Sequence, residues 1–260
     1  MRLELDEEIM GTAELLYRAD ALRFVRERLK LAPDAKQAAV MSGKIRRGLL
    51  NCTRQWGKST ITAAMAVHRA WTAPESLTIA VSPSARQTGE FLRKASTFVR
   101  ELGIRPRGDG DNEISLLFPN GARIVGLPGS ESTVRGFSAV GLMLIDEAAR
   151  VNDDLYKAVR PFLAASDGDL WLMSTPCGKR GFFYEAWTNG GPQWERFTVT
   201  GADCPRIGRR FLEEERVANG ERSFRQEYLC EFVDVDQSLF SRDVVDNAFS
   251  NDVKQLVLNR

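Results

Sequence analysis

"NCTRQWGKST", residues 51–60, decides how the rest of this chain is read. Gly57, Lys58 and Ser59 fall in register with the phosphate-binding pattern G-x-x-x-x-G-K-[ST]. In that pattern consecutive backbone N–H groups and the positive end of a following helix face phosphate oxygens. Cys52 stands where the first glycine belongs. That position turns the chain out of a strand, and a small cysteine is able to do so without positive φ. The context fits: "RRGLLNC" (46–52) is an apolar strand-like run, and Lys58 to Trp71 has helical spacing. On this reading Lys58 reaches the β- and γ-phosphates of ATP and Ser59 ligates Mg²⁺. Taken alone, Gly-Lys-Ser after a strand also arises by chance.

Outward from the loop, "SLTIAVSP" (76–83), "VGLMLIDEA" (140–148) and "GDLWLMSTP" (168–176) are near-continuous apolar runs, the pattern of strands buried on both faces. Helix-like stretches separate them, at Ser84 to Leu102 and Asp154 to Ala165. Such alternation predicts an α/β fold, a mostly parallel central sheet with helices on both faces. "EISLLFPNGARIVGLPG" (113–129) interrupts the rhythm as an inserted β-hairpin around Pro119-Asn120-Gly121. A helical N-terminal preface runs from about Leu5 to Leu31, its apolar positions Leu15, Leu16, Leu22, Val25 and Leu29, and Pro33 ends it. Past Thr200 the chain reads as a charged helical segment, a solvated face that Gly220 divides in two. The expected organisation is an N-terminal extension over 1–32, a nucleotide-binding domain over 33–235, and the start of a linker over 236–260.

Two further strand ends carry chemistry. "LMLIDEAA" (142–149) ends in Asp146 and Glu147, the first suited to hold Mg²⁺ directly or through water, the second to polarise an attacking water. Charges also mark the end of any strand, but two acids downstream of a phosphate loop are a stronger pairing. Ser174-Thr175-Pro176 closes the next apolar run, either as a plain strand end or as hydroxyls that sense the γ-phosphate.

Composition narrows the classes. Thirty-six basic and 35 acidic residues leave a net charge of +1, so any nucleic-acid footprint is local. Four scattered cysteines without a CxxC pair, and the single His68, argue against zinc and against a disulfide framework, and fit a reducing cytosol. No apolar run has the length to cross a bilayer, so no membrane partner is expected.

"CTRQWGKST", "LMLIDEAA" and "MSTP", in this order and at these intervals, resemble the ATPase domain of the large terminase subunit, the motor that pumps DNA into phage and herpesvirus capsids. "SPSARQTGEFLRK", "TVRGFS" and "GKRGFFYEAW" add to the likeness, which covers roughly residues 30 to 235. That family's loop commonly lacks the first glycine and carries Arg-Gln, here Arg54 and Gln55. The resemblance implies a P-loop NTPase of the RecA-like (ASCE) type. ATP would lie on the stretch Cys52, Thr53, Arg54, Gln55, Trp56, Gly57, Lys58, Ser59 and Thr60, with Glu147 as catalytic base. It gives Gln37 the adenine edge, where composition alone reads a surface glutamine. Arg54 comes to the phosphates. Arg135, by composition a loop arginine, becomes an arginine finger for a neighbouring subunit's γ-phosphate. Ser174, Thr175 and Pro176 become the coupling motif.

It further implies double-stranded DNA gripped by its backbone, a portal or procapsid and a small terminase subunit as partners, an active homo-oligomeric ring, and the host cytoplasm as location. Trp56 is bulky for a phosphate site, unless its ring packs on the outer side of the loop. The family's nuclease domain would begin near "SLFSRDVVDNAF", where this chain stops. Asp234, Asp236, Asp243 and Asp246 show no strand pattern that would arrange two metals, so a motor domain without nuclease activity is expected. Arg86, Arg93, Lys94, Arg100, Arg105 and Arg107 form a basic stretch that either lines a DNA channel or is a solvated face. Phe182, Phe183, Tyr184 and Trp187 read as core aromatics. Two other classes remain open: another RecA-like enzyme such as a helicase, and a nucleotide-binding assembly module without turnover.

Overall fold

Seven strands form one sheet: β1 (Arg47–Cys52), β2 (Leu77–Ser82), β3 (Ser115–Leu117), β4 (Arg123–Pro128), β5 (Val140–Asp146), β6 (Asp169–Ser174) and β7 (Glu195–Val199). Their order is β3-β4-β2-β5-β6-β1-β7. The computed structural model describes residues 11, 14–112, 114–129 and 136–234. Residues 1–10, Arg135, and the 236–260 segment with Asp236, Asp243 and Asp246 lie outside the described residues. Every pairing among the strands is parallel except β3 with β4.

The helices are α1 (Ala21–Glu27), α2 (Ala35–Ser42), α3 (Lys58–Thr72), α4 (Ala85–Glu101), α5 (Asp153–Val159), α6 (Gly181–Asn189) and α7 (Arg209–Glu227). Alternate strand residues face opposite layers. Leu50, Cys52, Leu144, Trp171 and Met173 pack with α1 to α4, whereas Leu49, Met143, Ile145, Leu170 and Leu172 pack with α5 and α6. The central strands are therefore covered on both faces, as their unbroken apolar runs predicted.

Differences from the sequence reading have local causes. The 113–129 stretch does form an antiparallel pair, but β4 also runs parallel to β2, so it extends the main sheet instead of standing apart from it. The helix expected to Ala165 ends at Val159 and passes into a 3₁₀ turn, Arg160–Leu163. Pro161 there lacks the N–H an α-helix needs. Edge strand β7 was not apparent because only Val199 of its five residues is buried. Helix α2 was missed too; it begins with a capping box in which Asp34 and Gln37 bond each other's backbone. In the preface Val25 and Leu29 enter the core, while Leu15 and Leu16 are 65% and 43% exposed, so the apolar stripe drawn through all five positions does not hold. Gly220 does interrupt α7, with φ 75° and ψ 161°.

Candidate functional site

Strand β1 delivers the loop and α3 receives it. Cys52 is buried and ends the strand without a left-handed backbone; that conformation falls on Gln55 (φ 64°) and Gly57 (φ 94°). The turn the first glycine would make is thus displaced three residues along. Burial raises the Cys52 thiol well above its ordinary pKa, so it is protonated filling. The Trp56 ring is fully buried in the core and only its backbone belongs to the loop surface. The ring therefore faces inward, anchoring the loop from beneath. Thr53 is also fully buried, its amide on Val199 O at 2.8 Å, and Thr60 opens the first turn of α3.

Parallel pairing sets the carboxyl ends of β1, β6 and β5 side by side, Asn51 against Ser174 and Met173 against Asp146. There the loop meets the two acids. Ser59 Oγ donates to Asp146 Oδ2 at 2.6 Å, and Lys58 Nζ lies 2.8 Å from Glu147 Oε1. Burial pushes the Asp146 carboxyl above its usual range, against the pull of the Lys58 ammonium and the Ser59 hydroxyl. For Lys58, burial pulls downward, but Glu147 and Asp146 outweigh it and the ammonium is held charged. Glu147 itself has left-handed backbone, φ 52° and ψ 42°, a strain on the order of 1 kcal/mol in a non-glycine residue. The bend turns its side chain back onto Lys58.

Ser174 and Thr175 join these parts. Thr175 Oγ1 donates to Cys52 O at 3.1 Å, and Ser174 Oγ accepts from Ala149 N at 3.2 Å, so β6 holds both the loop's start and the segment after Glu147. Pro176 is buried beside them. Residues that the sequence reading passed over complete the ring of contacts. Arg150 Nη1 reaches Glu147 Oε2 (3.1 Å) and Thr175 O (3.3 Å); its Nη2 reaches Glu227 Oε1 (3.3 Å). Arg54 Nε pairs with Glu227 Oε2 at 2.7 Å. Arg150 was discoverable, lying three residues beyond Glu147 in helical register. Glu227 carried no local signal.

The cleft over the loop has a volume of about 600 Å³. Its lining joins Gln37 and Arg206, which both donate to Trp56 O, with Glu147 and, from α4, Gln87 and Lys94. Gln37 is no surface residue: it is 5% exposed, and Nε2 donates to Trp56 O at 2.9 Å while Oε1 accepts from Asp34 N. Ser59 and Asp146 offer hard oxygens beside an open cleft, a set that suits Mg²⁺, an ion that takes one or two protein ligands plus water and phosphate. No cluster of three His, Cys, Asp or Glu exists among the described residues. Phe183 is fully buried and Phe182 nearly so, as core aromatics should be; Tyr184 and Trp187 pack on Phe232.

A parallel sheet whose first strand turns through Gly-Lys-Ser into a helix, with acids on a neighbouring strand, defines a P-loop fold of the RecA-like class. The chain belongs to the family described as terminase large subunit, T4likevirus-type, N-terminal, which matches residues 49–245. It is 26% identical over 251 residues to the terminase large subunit of Thermus virus P23-45, an alignment taking in 83% of this chain and 52% of that protein. The chain thus spans about half the length of the curated relatives it matches. Among solved structures it superposes on the large terminase ATPase domain of Thermus phage P74-26 with a TM-score of 0.72 at 23% identity, covering 82% of this chain and 98% of that one. The large terminase of the thermophilic bacteriophage D6E, solved in complex with ADP, matches with a TM-score of 0.64 at 15% identity, over 76% of this chain and 53% of that one.

Proposed function

We propose that this chain is the ATP-hydrolysing motor domain of a viral terminase large subunit and drives double-stranded DNA into a procapsid. The observation that carries the reading is the convergence of Lys58 on Glu147 (2.8 Å) and Ser59 on Asp146 (2.6 Å), two motifs some 90 residues apart meeting in one cleft. The ADP bound to the D6E terminase supports a nucleotide as ligand.

The chain's residues divide the work. The loop amides from Arg54 to Ser59 and the amino end of α3 receive the phosphates, while the Thr53 and Thr60 amides stay on Val199 O and Gly57 O. Lys58 exchanges Glu147 for β- and γ-phosphate oxygens. Glu147, released on that side but still held by Arg150, orients a water in line with the γ-phosphate and accepts its proton. Ser59 and Asp146 would hold Mg²⁺, which supplies charge neutralisation on the phosphate oxygens. Gln37 borders the end of the cleft where a base would lie, and Arg54 exchanges Glu227 for phosphate. Ser174 and Thr175, bonded to both motifs, pass the loss of γ-phosphate to the surrounding helices. Arg135 of a neighbouring subunit completes the site in a homo-oligomeric ring. DNA is gripped by its backbone without base reading, and the portal and the small subunit are the assembly partners. No nuclease step is assigned to this chain.

Calorimetry with ATPγS tests the site: Lys58→Ala removes measurable binding, and unchanged affinity would overturn the loop's role. Translocation of duplex DNA without strand separation tests the motor against a helicase.

A further inference from the structure

Five cations border the cleft among the described residues: Arg54, Lys58, Lys94, Arg150 and Arg206. Four are already matched. Arg54 pairs with Glu227, Lys58 with Glu147, Arg150 with both, and Arg206 with Asp34 at 3.2 Å. Lys94 has no carboxylate within ion-pair distance among the described residues, although α4 carries it half-buried into the same cleft as Lys58, Ser59 and Glu147. A partly desolvated ammonium without a partner is unfavourable, and a ligand anion would relieve that cost. Burial indeed pulls the Lys94 pKa down, with Asp146 drawing it up and Lys58 pushing it down again, so it senses the field of both motifs.

Its position along the cleft specifies the ligand atom. Strand β1, under the phosphate loop, is followed by β6, then β5 with Asp146 and Glu147, then β2, which leads into α4. Gln37 and Arg206 are both bonded to Trp56 O, on the loop that follows β1. A nucleotide laid with its β-phosphate on the loop and its terminal phosphate toward Glu147 therefore extends that phosphate toward Lys94. We propose that Lys94 is a ligand of the terminal phosphate and makes the site discriminate a nucleoside triphosphate from a diphosphate. This rests on the nucleotide-hydrolysing reading above and adds to it the residue that reads the third phosphate. Lys94 takes up phosphate without first surrendering an ion pair, unlike Lys58 and Arg54. It also leaves the basic stretch of α4 with one member fewer on its outer face, since Arg93, next to it, is exposed and paired with Glu90.

The test compares ATPγS and ADP binding by calorimetry, with Mg²⁺, for the wild type, Lys94→Met and Lys94→Arg. A charged hydrogen bond lost on one ligand predicts roughly tenfold or greater weakening of ATPγS with Lys94→Met. ADP affinity is expected to stay within about twofold, and Lys94→Arg to recover part of the loss. Thermal melts of the unliganded proteins should show Lys94→Met no less stable than wild type, because the position loses a half-buried charge that no described carboxylate pairs. Equal weakening of both nucleotides, or none, in a folded Lys94→Met overturns the Lys94 assignment while the wild type still binds. A wild type that binds neither nucleotide overturns both readings.

Discussion

The sheet has a cleft at each end, and the larger is not the one we propose for the nucleotide. Where the strands begin, a cleft of about 780 Å³ lies between Arg46, Arg69, His68 and Asp169; where they end, one of about 600 Å³ is lined by the loop and Glu147. The difference is electrostatic and directional. At the beginning, Arg46 and Arg69 converge on Asp169, and the carboxyl end of α3 faces the space, so these two arginines are neutralised by the protein itself. At the end, α3 and α4 present their amino ends, Glu147 stands in left-handed backbone, and Lys94 has no carboxylate within ion-pair distance among the described residues. In open parallel sheets ligands collect at the carboxyl ends of strands for these reasons, whatever the volumes.

Mutation can sharpen the contrast. Glu147→Gln at the strand ends should lower ATP turnover by about 10²–10⁴ while ATPγS still binds; turnover near wild type would break the assignment of that end as catalytic. Asp169→Ala at the other end leaves Arg69 without its carboxylate, though the pair is partly solvated. The expected loss is about 1 kcal/mol, read as a melting temperature lower by about 2–4 °C, with turnover unchanged. Loss of activity without loss of stability would mean that the larger cleft has a ligand of its own.

The smallest effect is a pH dependence confined to the beginning of the strands. Burial lowers the His68 pKa, only partly offset by the ring's hydrogen bond to Tyr17 O at 2.8 Å. The folded chain therefore prefers the neutral ring, while the unfolded ring takes a proton near about 6.5. The stability His68 contributes is fully present above that value and declines as pH falls toward the lower folded value. His68→Leu should flatten the slope of stability against pH in that window without changing nucleotide affinity; an unaltered slope would exclude His68 as its source.

Legibility in the sequence followed burial and locality. Strands β1, β2, β5 and β6 were visible because both faces are covered, so apolar residues run together. β7 was invisible because an edge strand needs few of them. Lys58, Ser59, Asp146 and Glu147 were legible as motifs because phosphate chemistry fixes residue types at short spacing. Lys94 was read as one basic residue among six on a possible DNA-facing stretch. Its burial against the cleft depends on how α4 packs, and only the i, i+7 relation with Gln87 hinted at a shared face.

By itself, then, the sequence determined the layered α/β plan and pointed to Lys58, Ser59, Asp146 and Glu147, which the fold brings together, since burial and backbone turning leave marks within a few positions. The tertiary structure alone decided that the left-handed turn sits at Gln55 and Gly57, that Trp56 faces the core, and that Glu227 holds Arg54 and Arg150 from more than 70 residues away. Such pairings depend on which strand ends lie side by side, a property of the whole sheet that no local stretch encodes.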